Sequence, residues 1–301
     1  MAPPWTPKNW VTWCANPPTL RPFSLMTPAS SLQTSDFWRP RWGLERLGVR
    51  THLSFRDGGV SLKPFDRLNL GLHVGDEPER VEQNRSIYEQ QMGAKAVFFD
   101  QRHGTDCVQI DHATPNGLCA DGAYTMARGL ACTMMVADCM PVLLADAKGR
   151  LVAAVHVGWR GLVGLGGHST LLPLGVLEQA HQDMSRVLRQ AFESSEVRLF
   201  AWLGPCIGPE TFEVGEEVFG AFKAKEAFNA EAFKPLEHKP GKYLADLPQL
   251  VRLQLKRLGV QDVWGNDGSK PWCTVSRPDL YFSHRRDRIS GRFAASIWLE
   301  P

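Results

Sequence analysis

From residue 49 onward the apolar positions come in short blocks whose spacing switches between the period of a strand and that of a helix. Residues 49–55 (VRTHLSF) read as a strand ended by the turn Arg56-Asp57-Gly58-Gly59. Helical spacing and acidic residues after Pro78 predict a helix over 79–92. Strands are expected at 96–99 and 106–110, on either side of the loop Gln101-Arg102-His103-Gly104, and again at 130–136. Two apolar runs, 142–145 and 151–157, flank Asp146-Ala147-Lys148-Gly149-Arg150 and predict a β-hairpin. A type I turn with Gly149 left-handed pairs Asp146 with Arg150, Ala145 with Leu151, Val142 with Ala154 and Met140 with His156. Side chains alternate along a strand, so in this register Cys139 points away from His156. Pro141 donates no ladder hydrogen bond, and a one-residue bulge at Met140 is therefore expected to turn Cys139 toward His156.

Beyond the hairpin, residues 174–192 read as a long amphipathic helix and 198–203 as a strand. Helices follow near 216–225 and 247–258, and strands near 262–264 and 294–299. Strands and helices are mixed, several strands connect by hairpins, and no solenoid repeat is present, so the fold class is α+β. Residues 1–37 are rich in Pro, Ser, Thr and Trp without sustained periodicity. They read as a poorly ordered extension, with 38–301 as a single domain and Met26 as a second candidate start.

Composition narrows the class. With 301 residues, 43% of them hydrophobic, the chain can bury a substantial core. Thirty-four basic and thirty-two acidic residues leave a formal charge of +2, without the basic stripe of a nucleic-acid binder. No apolar run reaches the roughly 18 residues of a membrane span, and the N-terminus lacks the apolar core of a signal peptide. The seven cysteines are odd in number, scattered and without a CxxC pair, which argues against a disulfide framework and for a reducing cytoplasm.

Chemistry concentrates at three residues: His103 in its loop, and Cys139 and His156 at one end of the hairpin. One thiolate and two imidazoles meet the ligand count of a catalytic zinc site with one open position, and they suit zinc or copper over magnesium or calcium. The competing reading is three unrelated core and loop residues. Asp138 is either a carboxylate that orients a ligand or takes a proton, or a turn aspartate. The glycine-rich run from Trp159 to Gly167 either offers N–H groups and Arg160 to an anion or packs helix tightly on strand. Arg56 and the Arg285-Arg286 pair are further cations for phosphate or carboxylate.

Several motifs in order carry a resemblance: Asn69-Leu70-Gly71, His73-Val74-Gly75-Asp76, Gln101-Arg102-His103-Gly104, Ala120-Asp121-Gly122 and Ala137-Asp138-Cys139-Met140-Pro141. The series continues through Ala154-Val155-His156-Val157-Gly158-Trp159-Arg160-Gly161 and Gly204-Pro205-Cys206-Ile207-Gly208-Pro209, and ends at Phe282-Ser283-His284-Arg285-Arg286 with Gly291-Arg292. Over about residues 49–299 the chain resembles the YfiH-type family, also called laccase-domain or polyphenol oxidase proteins. The resemblance implies a four-layer α/β/β/α sandwich with mixed sheets and one zinc held by His103, Cys139 and His156. Arg102 and His284 depart from the family pattern, where a small apolar residue and an aromatic are more usual.

The implied activity is phosphorolysis of purine nucleosides (adenosine, inosine or methylthioadenosine) to free base and ribose 1-phosphate, with adenosine deamination as a second. In that reading Cys139, His103, His156 and Asp138 are catalytic, and Arg56, Asn69, Arg160 and Arg286 bind substrate, the arginines holding phosphate. Rival readings are a copper-dependent polyphenol oxidase, a cysteine hydrolase with Cys139 as nucleophile and His156 as base, an amidase editing peptidoglycan precursors, and a non-enzymatic binding protein. Nine histidines with no His-x-His pair speak against a three-copper cluster.

Overall fold

The structure, a computed structural model, describes residues 40, 42–165, 174–193 and 196–301; the expected extension over 1–37 lies outside them. In chain order the strands are β1 (Val49–Leu53), β2 (Lys95–Val97), β3 (Cys107–Gln109), β4 (Gly122–Thr125), β5 (Leu130–Val136), β6 (Met140–Asp146) and β7 (Val152–Val157). They continue with β8 (Leu199–Leu203), β9 (Glu213–Gly215), β10 (Phe233–Pro235), β11 (Lys242–Ala245), β12 (Asp262–Gly265) and β13 (Phe293–Leu299). The α-helices are α1 (Pro78–Met92), α2 (Trp159–Val163), α3 (Val176–Phe192), α4 (Glu216–Lys225), α5 (Leu247–Arg257) and α6 (His284–Asp287).

Among the described residues, a sheet of order β12-β8-β6-β7-β4-β3 faces one of order β1-β13-β5-β2, and a small separate sheet β10-β11-β9 sends Val214, Phe233 and Ala245 into the core on the α3 side of the first. Both large sheets are mixed, with β12–β8, β3–β4 and β2–β5 parallel. Alternation along the central strands builds the layers. Met140, Val142, Leu144, Ala153, Val155 and Val157 turn to one side and pack on Val176, Leu177, Ala180, Met184 and Leu188 of α3. Leu143, Ala145, Val152 and Ala154 turn to the other, against Leu130, Cys132, Met134, Val136, Phe293, Ala295 and Ile297 of the second sheet. That sheet's far face, with Ala131, Met135, Ala294 and Trp298, is covered by Tyr88 and Met92 of α1. Helix, sheet, sheet and helix thus stack as the α/β/β/α sandwich. Strands buried on both faces explain why these segments read as near-continuous apolar runs. Ser296 and Thr133 are polar exceptions that satisfy each other, the Ser296 hydroxyl lying 2.7 Å from both Tyr88 Oη and Thr133 Oγ1.

The β6–β7 hairpin forms with Gly149 left-handed at φ 64°, but its register is displaced by one residue from the expected one. Pro141 faces His156, Val142 faces Val155 and Ala145 faces Val152. The loop is closed by Gly149 N–H donating to Asp146 O at 2.8 Å and Asp146 N–H donating to Leu151 O at 2.9 Å. Arg150 does not pair with Asp146 through its backbone; its guanidinium grips the Asp146 carboxylate at 2.6 and 3.1 Å. The displacement makes the expected bulge unnecessary. Cys139, two residues before Pro141, shares the face of His156, and Met140 is paired regularly with Val157. The irregularity falls instead at Asp138, whose φ is 95°.

The predicted strands at 96–99 and 106–110 shorten to β2 and β3 and join different sheets, so the loop bearing His103 crosses between the layers. Gln101 ties it to β5, donating to Met135 O at 2.8 Å and accepting from Met135 N–H at 2.9 Å.

Candidate functional site

The crossing loop, the start of β6 and the end of β7 bring His103, Cys139 and His156 together, with one potential ligand atom from each lying within 4.8 Å of the others. A tetrahedral ion bound at about 2.0–2.3 Å needs its ligand atoms roughly 3.3–3.8 Å apart, so only small side-chain movements separate this set from coordination. The imidazoles of His103 and His156 stand nearly perpendicular, their centroids 4.9 Å apart. His156 is buried, Cys139 half-buried and His103 exposed.

Asp121, absent from the residues chosen on sequence, organises the group. Its Oδ1 lies 2.7 Å from His156 Nδ1 and accepts from His103 N–H at 2.9 Å. Its Oδ2 accepts from Gly104 N–H at 2.7 Å and Arg102 N–H at 3.1 Å. One buried carboxylate therefore fixes the loop backbone and occupies His156 Nδ1, which leaves Nε2 for an ion. Burial pushes the Asp121 carboxyl up, but these donors, His156 first, bring it below the usual carboxylate range. The signal in the sequence is the Ala120-Asp121-Gly122 motif.

Burial likewise pushes the Cys139 thiol up, yet the two imidazoles, His156 above all, bring it down to about 6. For His156, burial is outweighed by the Cys139 thiolate and Asp121, and its pKa rises to about 9. Without an ion, thiolate and imidazolium thus form a pair near neutral pH.

Gly158 explains how the ligands come so close. A Cβ there would lie 2.9 Å from His103 Cδ2 and 3.1 Å from Cys139 Sγ, and one at Gly161 would lie 2.6 Å from Gly104 O. The glycines that open α2 therefore serve close packing of the loop on the helix; residues 166 and 167 of that run lie outside the described residues. Gly158→Ala should keep the fold and weaken metal affinity on the order of tenfold by displacing the imidazole and the thiol. Competition with a chromophoric chelator measures this, and unchanged affinity would contradict it.

The three ligands open on a cavity of about 350 Å³ whose lining includes Trp159, Phe212, Ile207 and Leu247 as apolar surface and His284, Arg160, Arg285, Arg288 and Arg292 as basic groups. Its carboxylate is Asp138, which accepts from Thr274 Oγ1 and from Arg285 N–H, both at 2.6 Å. Of the candidate substrate residues, Arg160 lines the cavity, with its guanidinium 4.6 Å over the Trp159 ring. Arg56, Asn69 and Arg286 do not line it, because their polar groups are spent on holding loops. Arg56 donates to Asp66 O and Pro278 O, and Arg286 to Thr274 O, Tyr281 O and Asp287. Asn69, fully buried, accepts from Gly71 N–H and Arg292 N–H and donates to Asp76. No helix among the described residues is long and apolar enough to cross a membrane.

A family model described as multi-copper polyphenol oxidoreductase laccase matches residues 50–300. Among curated proteins, the chain is 41% identical over 262 residues to purine nucleoside phosphorylase YfiH of Shigella flexneri, covering 86% of this chain and 97% of that one. It is 40% identical over 252 residues to a purine nucleoside phosphorylase of Pseudomonas aeruginosa, covering 84% and 94%. A crystal structure of the Neisseria meningitidis protein NMB0706 superposes with a TM-score of 0.73 at 42% identity, over 84% of this chain and 95% of that one. Matched nearly end to end from β1 to β13, this chain belongs to the polyphenol oxidoreductase laccase family, in its YfiH-type group.

Proposed function

We propose that the chain is a metal-dependent purine nucleoside phosphorylase, converting adenosine, inosine or methylthioadenosine and phosphate to free base and ribose 1-phosphate, with adenosine deamination as a second activity. The observation that carries this reading is the cavity: a Cys–His–His group at one wall, apolar surface for a purine, and basic groups outnumbering the one carboxylate, as a phosphate dianion requires. The curated relatives are named purine nucleoside phosphorylases.

In this reading His103, Cys139 and His156 hold a zinc ion, copper being the alternative that the same donors accept. When bound, the ion supplies Lewis-acid stabilisation of charge developing on the substrate. Trp159, Phe212 and Leu247 take the purine and exclude water, while Arg160, Arg285 and Arg292 hold phosphate for attack at the sugar's anomeric carbon. The phosphate oxygen–carbon bond forms as the carbon–nitrogen glycosidic bond breaks, and the base leaves with the proton that the hydrogen phosphate gives up. Asp138 keeps the Arg285 backbone in place, and transfers a proton in deamination when a donor releases one of its oxygens. Six free thiols among the described residues support a reducing, cytoplasmic setting.

A second reading has an observation of its own: a thiol brought to about 6 beside His156 suits a metal-free cysteine nucleophile, as in an amidase acting on peptidoglycan precursors. It leaves His103 only a lesser part in lowering the thiol. Incubating chelator-stripped and zinc-reloaded protein with adenosine, with and without phosphate, and with a muropeptide precursor separates the two. The phosphorylase reading expects adenine and ribose 1-phosphate only with metal and phosphate both present; turnover of the muropeptide by stripped protein would overturn it.

The ligand pair also sets a pH slope. Between about 6.5 and 9 the folded apo protein carries one proton on His156 and none on Cys139, while the unfolded chain carries it on the thiol. The proton count is equal, so the pair leaves apo stability flat in that window. Metal binding needs both groups bare and expels that one proton. Zinc affinity from this pair should rise about tenfold per pH unit between pH 7 and 8.5, measured by chelator competition; a flat profile would contradict it.

A further inference from the structure

Arg288 sits in a backbone conformation that L side chains avoid, with φ 63° and ψ −59°. Asp287 O accepts from Ile289 N–H at 2.7 Å across it, so Arg288 is the centre of a γ-turn of the rare, strained hand. Such a position favours glycine, and a side chain held there stores strain. The other non-glycine residues of positive φ among those described are His103, Asp138 and Glu193. His103 and Asp138, like Arg288, line the cavity, so three of the four strained positions surround it. Its adjacent acid is already taken, because both Asp287 oxygens accept from Arg286, at 2.8 and 2.6 Å. The carboxylate of the cavity lining, Asp138, accepts from the Thr274 hydroxyl and the Arg285 N–H. Arg288 is exposed and lines the cavity with Arg285 and Arg292, and among the described residues its guanidinium has no hydrogen-bond or ion-pair partner.

We propose that Arg288 is a substrate-binding residue that closes on a phosphate group at the mouth of the cavity, the γ-turn being strain retained to aim its guanidinium there. Guanidinium matches phosphate by paired hydrogen bonds, and a cation without an internal partner is free to make them. The idea rests on the proposed phosphorolysis for the source of the anion, free orthophosphate, but its chemistry also fits the phosphate ester of a nucleoside monophosphate.

The test compares the zinc-loaded full chain with Arg288→Gly and Arg288→Lys. Gly relieves the turn and removes the cation, while Lys keeps the charge and the strain. Arg288→Gly should raise Tm by about 2–4 °C through strain relief, while KM for phosphate rises about tenfold and KM for adenosine stays within about twofold. Arg288→Lys should recover part of the phosphate KM with no gain in Tm. Stabilisation against heat by orthophosphate, and separately by adenosine monophosphate against adenosine, is read without turnover. Loss of the orthophosphate effect in Arg288→Gly assigns the site to free phosphate; loss of the nucleotide effect alone assigns it to an esterified one. If the wild-type chain releases no ribose 1-phosphate, the phosphorylase reading fails, and the heat-stabilisation arms still decide the role of Arg288. A higher Tm in Arg288→Gly with both phosphate effects intact would overturn the proposal and leave only a strained turn.

Discussion

Cys139→Ala is expected to abolish metal retention and turnover together while leaving the fold in place. Apparent zinc-binding energies of about 10–16 kcal/mol spread over a tetrahedral ligand set assign ~2.5–4 kcal/mol to each ligand, or roughly 10²–10³ in affinity. The thiolate should exceed that mean, because it brings the negative charge of the set and lies ready at a pKa of about 6. The structural loss is small: Cys139 is half-buried before β6 begins, and Asp121 still holds His156 and the crossing loop. Circular dichroism should match wild type and apo Tm should change little, whereas bound metal after dialysis should fall below a tenth of an equivalent. Retained metal with lost turnover would point to Cys139 as a nucleophile and not a ligand.

Asp121→Ala should be the next most damaging change, and it should strike stability as well as the site. The substitution strands four donors at once: the His156 ring N–H and the backbone N–H groups of Arg102, His103 and Gly104. A buried donor left unpaired costs about 1–3 kcal/mol; the His156 ring N–H is buried and the three loop donors are part-buried, where water replaces some of the loss, so a net loss of about 3 kcal/mol is expected. Metal affinity should fall about 10–100-fold, the usual effect of removing a partner that orients a ligand. The milder change Asp121→Asn keeps one acceptor oxygen and should restore part of the stability but little of the affinity. Urea unfolding of the apo form and chelator competition on the same samples separate the two effects. Wild-type affinity in a destabilised Asp121→Ala would reduce Asp121 to a structural role.

What could be read in the sequence, and what could not, follows from the range of each interaction. The strands β5, β6 and β7 and the helix α3 were legible because each is a long apolar run or stripe. Cys139 and His156 were legible because one hairpin carries both. The register slipped by a residue because loop length depends on whether Arg150 pairs by backbone or by guanidinium, a choice that composition does not encode. The strand β4 was missed since four residues, Gly-Ala-Tyr-Thr, show no period, and Asp121 beside it went without a role for the same reason. Arg56 and Arg286 lie outside the cavity lining, where a guanidinium that caps carbonyl groups looks, in sequence, like one that awaits an anion. Arg288 could not be singled out at all, as its distinction is a φ angle.

All of the proposed chemistry requires a single ion on one sulfur and two imidazole nitrogens, with a position kept open to the cavity. X-ray absorption at the zinc edge of the reloaded protein tests this most directly. One sulfur neighbour at about 2.3 Å, two imidazole nitrogens at about 2.0–2.1 Å and one exchangeable light atom are expected. A first shell without sulfur, or one filled by four protein ligands, would contradict it.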